Sequence, residues 1–159
     1  LSDKEPYVRA WAIQLLCEDM RPSAEALEKF KSLAKSDPSP VVRLYLAAAL
    51  QRIPSADKWA IASSLIQHTE DEKDHNLPKM LWYGIEPWFA KNPDQILEFA
   101  PTSKLSFVTQ NIARRAVDGM RFAARARAER SRHRRRIQVR AARSPGATRR
   151  QHRPRADLS

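Results

Sequence analysis

From position 68 to 75 the chain reads His-Thr-Glu-Asp-Glu-Lys-Asp-His, two imidazoles flanking carboxylates, the donor types of a divalent-metal site. Zinc sites hold their ligands on packed elements and orient them through outer-shell hydrogen bonds, whereas this stretch falls in an acidic connection between two helices. A solvated loop is therefore preferred for His68 to His75. Glu86, between Gly84 and Pro87 on an aromatic helix, is the one isolated carboxylate that draws notice as an acid or base. It has no evident partner and reads as structural, capping the next turn. Cys17 is the single cysteine, too few for a disulfide, a CxxC pair or a thiolate cluster, so it reads as a buried, inert thiol. The three glycines, Gly84, Gly119 and Gly146, are too scattered for a phosphate-binding loop. No Ser-His-Asp or Cys-His arrangement assembles without arbitrary choices. No catalytic, cofactor-binding or metal-ligating residue is assigned.

The formal charge of +11 suggests a polyanionic partner until its location is traced. Residues 1–120 hold 15 Lys and Arg against 16 Asp and Glu, whereas residues 121–159 hold 14 against 2 and no lysine. The basic surplus is thus confined to the tail, where the arginines from Arg125 to Arg140 fall on every side of a helix and leave no apolar stripe. Such a tail is expected to be disordered or a lone helix before Pro145. As a nucleic-acid arm it would neutralise phosphates, yet nothing aromatic follows Phe122 to stack on bases. The competing reading, which is preferred, is a frame change: arginine, alanine, proline and glycine have GC-rich codons, and lysine and periodicity vanish together near Gly119.

Upstream of the tail the chain repeats itself. Asp3, Pro6, Val8, Arg9, Trp11 and Leu16 align with Asp37, Pro40, Val42, Arg43, Tyr45 and Leu50 at an offset of 34 residues. Between these segments Leu27, Phe30, Leu33 and Ala34 form the apolar stripe of an amphipathic helix, with Ser23 as its N-cap. Ser39 as cap and Pro40 in the first turn then start the next helix. The pattern continues from Ser55 to about Thr69, with Trp59, Ala62, Leu65 and Ile66 inward, and from about Leu77 to Phe89. On that last helix Leu77, Leu81, Gly84, Ile85 and Trp88 share one face, and Pro87 is expected to kink it. Trp82 and Phe89 lie on a different stripe and are the candidates for contact with a neighbour. A short helix from Asn92-Pro93 carries Ile96, Leu97 and Ala100, and Leu105 to Val117 is its weaker partner.

Helical hairpins with this period cannot bury their apolar faces alone, which predicts an all-α fold: an α-solenoid of about three to four hairpins over residues 1–118, with a basic tail over 119–159. The Asp and Val-Arg pattern resembles HEAT repeats. That resemblance implies that Asp3, Arg9, Asp37 and Arg43 pair along the array; the alternative is that the arginine stems merely cover apolar surface and reach solvent.

Three stretches carry a narrower resemblance: Tyr7-Val-Arg-Ala-Trp-Ala-Ile-Gln-Leu-Leu16, Ser36-Asp-Pro-Ser-Pro-Val-Val-Arg-Leu-Tyr-Leu-Ala47, and Asp74-His-Asn-Leu-Pro78 with Leu81-Trp-Tyr-Gly-Ile-Glu-Pro87. Together they resemble the repeat region of the large predicted membrane-bound dehydrogenases of the planctomycete and verrucomicrobial type. The resemblance covers roughly residues 1–118. It implies a parent that joins a sugar-dehydrogenase-like β-propeller, this helical region and a C-terminal c-type haem domain in the cell envelope or periplasm. Haem attachment needs two cysteines beside a histidine, which Cys17 alone cannot supply, so any cofactor of the parent is expected elsewhere. The implied role is a non-catalytic scaffold whose partners are flanking domains of the same polypeptide or another protein; the alternative is nucleic-acid binding through the Arg-rich tail. No apolar stretch approaches a membrane span. The lack of an initiating Met and of a basic-then-apolar leader suggests a start in mid-protein, with the hairpin partner of the first helix upstream of Leu1.

Overall fold

Pro6, Pro40, Pro78 and Pro93 each sit in the first turn of a helix, where the missing N–H costs nothing and the fixed φ favours helical entry. The computed structural model describes residues 1–88 and 91–143. Its helices are α1 (Pro6–Leu16), α2 (Ala24–Ser36), α3 (Pro40–Ala49), α4 (Ser55–Leu65), α5 (Leu77–Ile85), α6 (Pro93–Leu97), α7 (Phe99–Thr102) and α8 (Ser106–Arg143). Short 3-10 turns lie at Thr69–Asp71 and Glu86–Trp88, and no strand occurs among the described residues.

The caps follow the sequence in part. Ser23 Oγ accepts the Ala26 N–H at 3.2 Å and so caps α2. Ser39 and Asn92 occupy N-cap positions, but their side chains make no cap bond. In place of the Ser39 hydroxyl, the Asp37 carboxylate takes the Ser39 N–H at 2.9 Å. Pro87 does not kink a longer helix: α5 stops at Ile85 and the chain tightens into the Glu86–Trp88 turn, which spares the hydrogen bond that the proline ring cannot donate.

The chain divides into two compact units, Leu1–Gly119 and Met120–Ser159. In the first, α1 packs on α3 and α3 on α5, while α2 packs on α4; α2 also meets α3, and α4 meets both α3 and α5. This is two layers of helices stacked hairpin on hairpin, an α-solenoid. Each helix buries its stripe because the neighbouring hairpin covers it: Phe30 on α2, Leu46 and Leu50 at α3, Ile61 and Leu65 on α4, and Leu81 and Ile85 on α5 are fully buried. The fourth unit is cruder. The short α6 and α7 contribute Ile96 and Phe99 to the core, Leu97 is exposed, and Leu105, Val108 and Ile112 at the start of α8 are buried. Within the second unit, residues 120–143 are helical, with Met120, Phe122, Ile137 and Val139 exposed.

Gly84 marks the closest approach inside the stack. A Cβ placed on it would lie 2.5 Å from Leu50 Cβ, and both backbones are held by packed helices, so neither yields cheaply. Gly84→Ala is therefore expected to destabilise by about 1–3 kcal/mol in urea unfolding. In a Leu50→Gly background, where the Cβ it would strike is absent, its added cost should largely vanish.

Candidate functional site

The charged residues that recur every 34 positions do not converge on a cleft; they join successive hairpins. Arg9 on α1 spans 28 residues to Asp37, its Nε donating to Oδ2 at 2.8 Å and its Nη2 to Oδ1 at 2.9 Å. Arg43, at the same place on α3, makes the same two-bond fork to Asp71, with both bonds at 2.6 Å. Each arginine also donates from Nη1 to the carbonyl six residues before it, Arg9 to Asp3 and Arg43 to Asp37. The Asp3 carboxylate does not meet Arg9; it accepts the Glu5 N–H. Asp71 was hidden in the acidic run read as a solvated loop, yet it is 1 % exposed and Arg43 is 2 % exposed. The signal that finds it is the spacing itself, Asp3, Asp37 and Asp71 being evenly placed by 34.

Beyond Asp71 the ladder stops. Counting on by 34 reaches Leu77, the first residue of α5, and Leu105, just ahead of α8, whereas Arg9 and Arg43 are the fourth residues of α1 and α3. Leu77 and Leu105 are both fully buried. The junction is fastened at its rim by neutral and capping bonds: Lys104 N–H to the Ile66 carbonyl at 2.8 Å, and the Ser106 N–H to Glu72 at 2.8 Å, with the Ser106 hydroxyl on the same carboxylate.

The metal candidate is taken apart by the same network. His68 directs Nε2 at the Ala34 carbonyl, 2.8 Å away, and Nδ1 at Glu70, 2.9 Å away. Glu70 also lies 3.5 Å from Arg43, and Asp74 accepts the Asn76 and Leu77 N–H groups at the start of α5. No group of three potential ligands comes together among the described residues. Glu86 accepts from Arg115 Nε at 3.0 Å, a tie between the 3-10 turn and α8.

The electrostatics are those of a support. Burial alone would raise the Asp37 carboxyl, but the Arg9 fork, the Ser39 N–H and the charges of Arg9 and Arg43 outweigh it and hold the group below the usual carboxylate range. Arg43 is held above its ordinary value chiefly by its bonds to Asp71. The Cys17 thiol is pushed up to about 11, mainly by burial, which removes it as a nucleophile at neutral pH.

The aromatic residues divide differently from their helical stripes. Trp82, read as a contact for a neighbour, is instead 8 % exposed, because α5 lies between α3 and α4 and is covered on more than one side. Phe89, its companion in that reading, lies outside the described residues. Tyr83 is the exposed aromatic of α5. Trp59 stacks on Trp88 at 5.9 Å and meets Phe99 at 3.9 Å, joining α4, the Glu86–Trp88 turn and α7. The Lys58 ammonium sits 5.2 Å from the centre of the Trp88 ring; burial, then the charge of Lys91, lowers its pKa.

Residues 1–75 match the sequence profile of HEAT repeats, so this part of the chain is a HEAT-repeat region. No curated protein and no solved structure matches the chain. No helix among the described residues is long and apolar enough to cross a membrane.

Two sets of variants follow. Arg43→Ala leaves Asp71 buried without its counterion and should cost about 3–5 kcal/mol, whereas Arg43→Leu with Asp71→Leu, which removes both charges together, should stay within about 1 kcal/mol of the parent or exceed it. Because the folded Asp37 pKa is depressed, its contribution is present above pH ~4 and is lost as the pH falls through the folded value. Asp37→Asn should therefore flatten the acid limb of the stability profile. The lysine reverses this sign: its charged form is disfavoured by folding, and the penalty is relieved as pH rises through the lowered value towards 10.5. Lys58→Met should raise Tm at neutral pH, with a gain that shrinks in alkaline buffer.

Proposed function

We propose that this chain is a non-catalytic helical-repeat scaffold that holds neighbouring protein domains in place. What carries the reading is the use made of its polar groups: the recurrent arginines and aspartates are consumed in joining one hairpin to the next, and the lone thiol stays protonated. HEAT repeats typically mediate protein interactions.

The resemblance of residues 1–118 to the repeat region of large membrane-bound dehydrogenases extends the proposal. In that setting the partners are a β-propeller and a c-type haem domain of the same polypeptide, in the cell envelope. The residues described here do not fit a haem of that type: Cys17 is the single cysteine of the chain and its side chain is buried. The redox chemistry is accordingly assigned to the parent's other modules.

A second reading attaches to the tail alone, because its described arginines are exposed and Glu129 is the one acid between positions 120 and 143. Such a helix binds any phosphate polymer by releasing counterions. The proposal for residues 119–159 remains that they are a frame-changed end without a selected partner.

Purified chain supplied with sugars or alcohols and an artificial electron acceptor should show no turnover above buffer; turnover would end the scaffold reading. Removing residues 120–159 should leave Tm nearly unchanged. Full-length chain should retard duplex DNA of any sequence with a steep salt dependence, and residues 1–119 should not; sequence-specific binding by the shortened form would favour the nucleic-acid alternative.

A further inference from the structure

The register of the repeat shows what one uncovered surface is shaped to receive. On α3, Val42 and Leu50 are fully buried and Ala49 nearly so, with α2 and α4 beside them. Their equivalents 34 positions earlier are Val8, Leu15 and Leu16 at α1, and these are 50 %, 59 % and 40 % exposed. Tyr7, Trp11 and Met20 extend the same apolar surface. Scattered exposed hydrophobes need no explanation, but a face whose counterpart one repeat later is sealed has a defined missing cover.

A second observation specifies the chemistry of that cover. The Asp3 carboxylate accepts the Glu5 N–H at 2.8 Å through Oδ1, as Asp37 Oδ1 accepts the Ser39 N–H at 2.9 Å. Asp37 then receives the fork of Arg9, and Asp71 that of Arg43, each from 28 residues upstream. Among the described residues no cation stands within ion-pair distance of Asp3. The turn is formed and its carboxylate is oriented as in the next repeat, without the guanidinium.

We propose that the exposed face of α1 together with Asp3 is a docking seat for one further helical hairpin of the same repeat class, stacked in the 34-residue register and presenting an arginine to Asp3. A second copy of this chain is a poorer occupant, because at its other end the register position that carries Arg9 and Arg43, the fourth residue of the helix, is Thr109, a neutral hydroxyl. The inference rests on the scaffold reading, whose own failure registers as turnover and not in the experiment below.

The seat is tested by supplying the hairpin from the protein's own sequence. Fusing a duplicate of residues 1–34 directly before Leu1 of the full chain places the duplicated Arg9 28 residues ahead of Asp3, the spacing of both observed pairs. Tm should rise by roughly 5 °C or more, and amide exchange along α1 should slow by about tenfold or more. Arg9→Ala in the added copy alone, or Asp3→Asn in the fused chain, should remove most of both gains. A fused chain no more stable than the original, an added segment that stays unstructured, or a gain indifferent to both substitutions overturns the proposal. So does an unmodified chain that sediments as a dimer and is returned to monomer by Leu15→Arg, since a second copy would then be the occupant.

Discussion

A guanidinium buried as deeply as that of Arg43 must have its charge and its donors met, since an uncompensated ion in the interior costs several kcal/mol. Asp71 meets them from 28 residues away, and that requirement fixes how far along its neighbour each hairpin sits. Apolar stripes alone tolerate a slip by a turn; a planar two-bond fork does not. The apolar burial of Leu46, Leu50, Leu81 and Ile85 supplies the stabilisation, and the ladder selects the one register in which that burial occurs. Gly84 belongs to the same arrangement, in which α5 and the end of α3 come close enough to exclude a side chain.

Much of this architecture was legible in the sequence, since the hairpin period, the first-turn prolines and the inward stripe of Leu77, Leu81, Gly84, Ile85 and Trp88 are local patterns. The ladder was half visible. Asp3, Arg9, Asp37 and Arg43 stood out because each aspartate was followed six residues later by an arginine, but Asp71 was not. Among four acids in five residues, Asp71 looked like any solvated carboxylate, and nothing local distinguishes the one that a distant arginine needs. Trp82 was misplaced for a related reason. A helical wheel assumes one covered face, whereas a helix inside a two-layer stack is covered by its own hairpin and by its neighbour.

The surface available for recognition follows from the same economy. Polar groups that might have been arranged around a substrate are instead divided between backbone capping, as with Asp74 and Glu72, and inter-hairpin bonds, as with His68 and Lys31. Exposed apolar area gathers on α1, with Tyr83 on α5 and Met120, Phe122, Ile137 and Val139 on the later part of α8. Such surfaces recognise shape and helical register, which suits a spacer between larger modules.

The end of the ion-pair ladder at Asp71 has a mechanical consequence. A bidentate fork resists rotation of one hairpin about the next as well as separation, because both bonds must stay coplanar. Leucine methyls resist separation but slide over one another at little cost. The first two junctions are therefore torsionally stiff and the third is compliant, held at its rim by exposed bonds. A twist applied at either end would therefore be taken up mainly between α5 and α8, while α1, α3 and α5 turn together as one body.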